Sequence, residues 1–355
     1  MLKVAEHAGQ LKRGLALAGL AALLFGMTAP LLKLASQDVG TFFAGGLVYL
    51  GAAIAAALLA AARASRERPT IPRAARPRLM LVALLGAVVA PALLVAGLRQ
   101  VDGATASLLL ALEAPFTIVL ARLLLREFVG VRVGLAAAAI TAGVAVLVGT
   151  SGGSAMTLLG VLLVAGASLA WAGDNLLSRS LADLDPLQVV ALKGTLGALL
   201  SGVVAVVTGD ALPAPRNAGA LLLLGAFGYG VSLQLYLRAQ RLVGAARTAS
   251  LFATSPFVGV GVAFLLGSSH LSPAFPLAAL LIAAGVVLHL SERHEHAHRH
   301  EPLEHEHMHR HDDGHHDHVH DPMPVGPHSH PHAHRGVEHR HPHSEDIHHR
   351  HIHDP

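Results

Sequence analysis

Glu113 is the first side chain in this sequence whose type and setting suggest chemistry. It lies inside an apolar run, two residues before Pro115, and residues 104–121 contain no other acid or base. An ionised group at the centre of a membrane costs at least ~2.5–3.5 kcal/mol on insertion scales. Such a carboxylate suits proton coupling or cation ligation, with a buried structural ion pair as the alternative. Pro115 lacks a backbone donor and crowds the preceding turn. That would leave carbonyl oxygens near Ala111 available, as in a broken-helix binding site. Lys193 sits a third of the way into another apolar run. It would bind an anionic substrate group or neutralise Glu113, unless its stem snorkels outward. Asp174 and Asn175 follow Trp171 by one helical turn and would either line a cavity or close it against Arg179. Phe25, Trp171, Tyr229 and Gln234 would supply an aromatic and polar lining for an organic substrate, in a chain with only 4% aromatic residues. Tyr236 suits the same lining or an interfacial belt, and Lys33 has the position of an interfacial anchor.

A second group of candidate ligands lies at the C-terminal end. From Ser291 onward histidine dominates, in runs holding His294, His296, His298 and His300, then His305, His307, His309 and His311. His315, His316, His318 and His320 follow, and then His328, His330, His332 and His334. Alternating histidines place their rings on one side of an extended chain, and neutral imidazole suits Zn²⁺, Ni²⁺, Co²⁺ or Cu²⁺. With a reference pKa near ~6.5, most of these rings are free to ligate at neutral pH. The segment is too polar to build a core, so 291–355 is expected to be a disordered, metal-binding tail. No cofactor is required elsewhere. With no cysteine in the chain, disulfides and thiolate metal sites are excluded.

The elements that must position these side chains follow from composition. Charged residues are 14% of the total, well below the roughly 25% of soluble domains. Up to about residue 290 the sequence runs in Ala/Leu/Val/Gly blocks of about twenty residues, the length that crosses a ~30 Å hydrocarbon core. The blocks fall at 14–35, 40–62, 79–98, 104–125, 132–149, 157–177, 187–208, 219–237, 248–267 and 274–290. In the last connection Ser272 and Pro273 read as an N-cap followed by proline at the first helical position. Ten spans place both termini on one side of the membrane. That side carries Lys3, Lys12, Arg13, the arginines of 63–78, Arg126, Arg132, Arg179, Arg238, Arg241 and Arg247; the other carries only Arg99 and Arg216 in its loops. The positive-inside rule makes the termini cytoplasmic. It also assigns the high isoelectric point, about 9.6, to topology and not to nucleic acid.

The chain repeats itself. Leu-Leu-Phe-Gly at 23–26 is echoed by Leu-Ala-Trp-Ala at 169–172. Gly103-Ala104 precedes Pro115-Phe116 as Gly244-Ala245 precedes Pro256-Phe257, and Ile140-Thr-Ala-Gly-Val matches Ile282-Ala-Ala-Gly-Val. Each unit holds five spans, so the second enters the membrane inverted, an architecture of secondary transporters with a midplane substrate site. The expected fold is therefore all-α: ten transmembrane helices in two inverted five-helix units, 14–150 and 155–290, after a cytoplasmic segment 1–13. The paired aromatics, the paired Pro-Phe positions, Leu123-Leu-Leu-Arg-Glu127 and the stretch Tyr236 to Leu251 with Ser255-Pro-Phe257 resemble the drug/metabolite transporter superfamily, most of all its EamA-like branch. The resemblance covers about 11–290 and implies export of small metabolites, amino acids or drugs. It departs from the family at Ser268, where an acid is expected, and between Thr41 and Tyr49, where an arginine is often found.

Neither a phosphate loop nor an intramembrane His-Glu-x-x-His is present, and no enzyme activity is expected. Three functions remain: an exporter with a metal-binding tail, a divalent transition-metal transporter, and a membrane-tethered metal sensor or store. The expected partners are the lipid bilayer of a bacterial inner membrane, a small-molecule substrate and divalent metals, without nucleic acid. A homodimer is compatible with this reading.

Overall fold

The computed structural model describes residues 2–62, 71–150, 157–181, 184–267 and 273–291, together with 295–299, 303–309, 328–334 and 338–342. The chain divides into two units, Met1–Glu292 and Arg293–Pro355.

Among its described residues the first unit has helices and no strands, and nine of these helices are long and apolar enough to cross a membrane. They are α1 Gln10–Ala35, α2 Thr41–Ala61, α3 Arg76–Leu98, α4 Gly103–Leu125, α5 Val131–Gly149, α6 Leu158–Leu181, α7 Pro186–Thr208, α8 Pro215–Val243 and α9 Arg247–Leu265. A shorter apolar helix, α10 Phe275–Leu290, follows. Outward positions such as Val131, Val207 and Leu265 are highly exposed yet apolar, as a lipid-facing surface requires. The chain is a multi-pass membrane protein.

Local chemistry fixes the helix ends. Asp102 caps α4 by accepting from the amides of Ala104 and Thr105, each at 3.0 Å. Asp185 caps α7 ahead of Pro186, and Thr157 caps α6. Gly209, in the left-handed region at φ 68°, ends α7, a backbone state glycine enters without steric cost. One detail differs from the sequence expectation. Helix α10 starts at Phe275 with Pro276 in its first turn, so Pro273 lies ahead of the helix; Ser272 lies outside the described residues. Lys33 Nζ donates to the carbonyls of Leu98 at 2.6 Å, the last residue of α3, and Val101 at 2.5 Å, in the connection after it.

The helices pack as α1 on α8, α2 on α7, α3 on α6, α4 on α9 and α5 on α10. The last contact uses the repeated Ile-x-x-Gly sequence on both sides. A Cβ on Gly143 would lie 2.8 Å from Ile282 Cγ1, and one on Gly285 would lie 2.7 Å from Ile140 Cγ1. Each glycine is thus the socket for the other helix's isoleucine, the small-residue packing that membrane helices favour. Helices α3 and α8 each contain a π-helical segment, Leu85–Val89 and Ala226–Val231. In α4 the turn Leu110–Leu112 tightens to 3-10 geometry just before Glu113. Pro115 accounts for this, since it cannot donate to the carbonyl of Ala111 and its ring crowds that group.

One end of the bundle is tied by hydrogen bonds between connections. Besides the Lys33 contacts, Arg99 donates to Val39 O at 2.6 Å, and Thr157 bonds Gln100 Oε1 at 2.7 Å. Asp210 Oδ2 accepts from the amides of Phe42 at 2.7 Å and Phe43 at 3.4 Å.

The described residues of the second unit form two antiparallel ladders. Strand β1 (Glu295–Arg299) pairs with β4 (Glu338–Pro342), and β2 (Leu303–His309) pairs with β3 (His328–His334). A two-stranded ladder is marginally stable at best on its own.

Candidate functional site

A cavity of about 630 Å³ enters the helical unit. Its inner part is lined by Phe25 of α1, Glu113 of α4, Trp171 and Asn175 of α6 and Tyr229 of α8, and its other end by Glu127, Arg179 and His289. The end with Glu127 and Arg179 is opposite the hydrogen-bonded end described above, since α4 and α6 begin at one and finish at the other.

Glu113 is held where the 3-10 turn gives way to α-helix. Its Oε1 accepts from Asn175 Nδ2 at 2.6 Å, and among the described residues no lysine or arginine pairs with it. Trp171 is positioned by α3 and α2: its Nε1 donates to Gly86 O of α3 at 3.0 Å and to Tyr49 Oη of α2 at 3.1 Å. Gly86 belongs to the π-helical segment, where the wider turn disturbs the regular ladder and leaves a carbonyl for a side chain. Rings then follow one another through the site. Tyr49 and Tyr229 have centroids 5.6 Å apart, Tyr229 and Phe25 5.6 Å, and Phe25 and Phe252 5.1 Å. Phe252 continues to Tyr236 at 5.0 Å.

Lys193 and Asp174 form an ion pair with each other, and neither lines the cavity. The pair is buried, with side chains 17% and 4% exposed, and Ser178 Oγ adds a 3.3 Å bond to Asp174. It sits against α3, where a Cβ on Gly86 would lie 2.7 Å from Lys193 Nζ and overlap Asp174 Oδ2. Gly86 therefore serves two ends, admitting the ion pair to one side of α3 while presenting its carbonyl to Trp171. Gln234 is buried and lies away from the cavity lining.

At the cavity's other end Glu127 and Arg179 form a second ion pair, more exposed than the first. Arg126 before it takes the left-handed backbone at φ 57°, which ends α4 and turns the chain. His289 carries the buried side-chain nitrogen that lacks a partner among the described residues, its Nδ1. Sequence reasoning did not single out Tyr49, Thr28, Phe252 or Ser255, all at or beside this cavity. The scarcity of aromatics is the one signal that points to Tyr49, one of three tyrosines in the chain.

No three His, Asp or Glu side chains cluster as a metal site among the described residues. Of the tail histidines, His294, His300, His311, His315, His316, His318 and His320 lie outside the described residues. His296 and His298 fall on β1, His305, His307 and His309 on β2, and His328, His330, His332 and His334 on β3.

Comparison with known proteins agrees with this architecture. The model of the EamA-like transporter family matches residues 12–149 and 158–291. A protein of Methanothermobacter thermautotrophicus, strain Delta H, named as an uncharacterized transporter, is 28% identical over 218 residues, or 59% of this chain. The match spans 63% of that relative's length. A solved crystal structure shares the fold with a TM-score of 0.58 at 20% identity, over 78% of this chain and 98% of its own. Two family matches, one on each half of the helical unit and together framing the aromatic cavity, show that the chain belongs to the EamA-like transporter family.

Proposed function

We propose that this protein is a secondary transporter that exports a small metabolite, amino acid or drug by alternating access across a bacterial inner membrane. The observation that carries the reading is the cavity, which reaches mid-helix residues from one end while the opposite end is tied shut. In this reading the protein has ten spans in two inverted five-helix units, with both termini cytoplasmic. The reciprocal Ile-Gly packing of α5 and α10 supports the internal symmetry. So do the π-helical segments in α3 and α8, helices at the same place in each unit, while a third such segment, Ala121–Leu125 at the end of α4, is particular to the first unit among the described residues. Glu113, Asn175, Trp171, Phe25 and Tyr229 contact substrate, and Glu113 also takes part in coupling. The Asp174–Lys193 pair holds α6 against α3 and α7 behind them. The histidine-rich tail binds divalent metals as an accessory segment, and the absence of a clustered ligand set among the described residues weighs against metal as the transported species.

Cysteine accessibility tests the mechanism without knowledge of the substrate. Thr117 lines the cavity, and the chain has no cysteine of its own. With Thr117→Cys in sealed vesicles of each orientation, a membrane-impermeant maleimide should label the site from both faces. Labelling from one face alone would refute alternating access.

A further inference from the structure

We infer that the transported molecule is an organic cation, an amine or quaternary ammonium attached to an apolar or aromatic body. The inference rests on the transport reading above and narrows its substrate class. Its basis is the charge balance of the cavity. Lys193 is taken by Asp174 and Arg179 by Glu127, so each pair contributes no net charge. Glu113 hydrogen-bonds the neutral amide of Asn175, and the Lys193 and Asp174 charges that act on it from behind belong to one neutral pair. The cavity therefore carries one carboxylate without a cationic partner among the described residues. Around it stand Trp171, Phe25 and Tyr229, whose ring faces are electron-rich and attract a desolvated cation. A carboxylate beside aromatic faces recognises an ammonium group. An anion at Glu113 would meet negative charge and find no unpaired lysine or arginine among the described lining residues; the one further base there, His289, lies at the other end of the cavity. A transition-metal ion would find no set of three ligands among the described residues. The volume, about 630 Å³, matches the range for small organic ligands.

Trp171 makes the test direct, because it is the chain's only tryptophan and lines the cavity. Its emission in the purified full-length protein is titrated with phenethylamine, phenethyl alcohol and phenylacetate, which share an aromatic body and differ in charge. Phenethylamine should give a saturable change at a concentration about tenfold or more below the alcohol, with phenylacetate weaker still. Glu113→Gln should bring the amine to within about threefold of the alcohol, and Glu113→Asp should keep most of the preference. Equal affinity for the three, tighter binding of phenylacetate, no saturable change with any of them, or an amine preference untouched by Glu113→Gln would each overturn the proposal. The order of the three probes on the unmodified protein decides the question even if a Glu113 variant fails to fold. Uptake of labelled probes into proteoliposomes separates this proposal from the reading beneath it. Carriage of phenylacetate in place of phenethylamine overturns the cation assignment and leaves the transporter standing. Amine binding at Trp171 with no uptake supports the cation site and removes the transporter.

Discussion

Lys193 offers the sharpest test of how charges are distributed in this bundle. Lys193→Met would leave Asp174, 4% exposed, with Ser178 Oγ as its remaining side-chain partner at 3.3 Å. Opposite charges ~4 Å apart attract by about 4 kcal/mol at an effective dielectric of about 20. Desolvation consumes much of that gain when both partners are present, yet removing one partner of a buried pair costs about 3–5 kcal/mol. Lys193→Met and Asp174→Asn should thus each lower the free energy of unfolding by about 3 kcal/mol or more, measured by detergent-denaturant titration. The double variant should return to within about 1 kcal/mol of the parent, because replacing both members of such a pair is often neutral. It should also still bind the amine probe, since neither residue lines the cavity. Additive losses in the double variant, or single variants as stable as the parent, would refute the pairing. A Lys193→Met protein of normal stability that no longer binds ligand would instead place the ammonium against substrate.

Two further outcomes check the wider reading. Cysteines introduced singly at Ser65 and Ser154 should be labelled from opposite sides of the membrane, with 65 on the cytoplasmic face; labelling from the same side would defeat the ten-span topology. A chain ending at Glu292 should insert and transport as before but lose most of its zinc or nickel binding in calorimetry, and that binding in the full chain should weaken as pH falls through the imidazole range. Loss of transport at saturating substrate would make the tail part of the transport cycle.

The spans were legible because lipid demands uninterrupted apolar length, and nine helices fall within a few residues of the expected blocks. Helix α8 departs most, running from Pro215 to Val243 where 219–237 was expected. Arg216 and Asn217 at its start and Arg238, Gln240 and Arg241 near its end are polar, so hydropathy is low at both ends of the helix. Depth along a helix was also readable, and Phe25, Glu113, Trp171 and Tyr229 come from four helices to one cavity. Rotation about the helix axis was not. Asp174 and Asn175 are adjacent in sequence and about 100° apart around the helix. One turns to Lys193 and the other to Glu113, a division set by which neighbours surround α6. The partners of Lys33 were hidden for a similar reason, since they are the carbonyl of Leu98 at the end of α3 and that of Val101 just beyond it, more than sixty residues away in sequence.

In the proposed alternating-access cycle, the capping of α2 by Asp210 would tie gating to the integrity of a helix. The residue at the N-cap position of α2, Gly40, provides no side-chain acceptor. The amides of Phe42 and Phe43 rely instead on a carboxylate beyond the end of α7. Parting the bundle at that end withdraws the carboxylate, and a lost cap costs a helix about 1 kcal/mol. In that cycle each opening would fray the first turn of α2 and each closure would wind it again, making the helix terminus a return spring for the gate. Deuterium uptake at those two amides would rise and fall with the fraction of time the gate stands open.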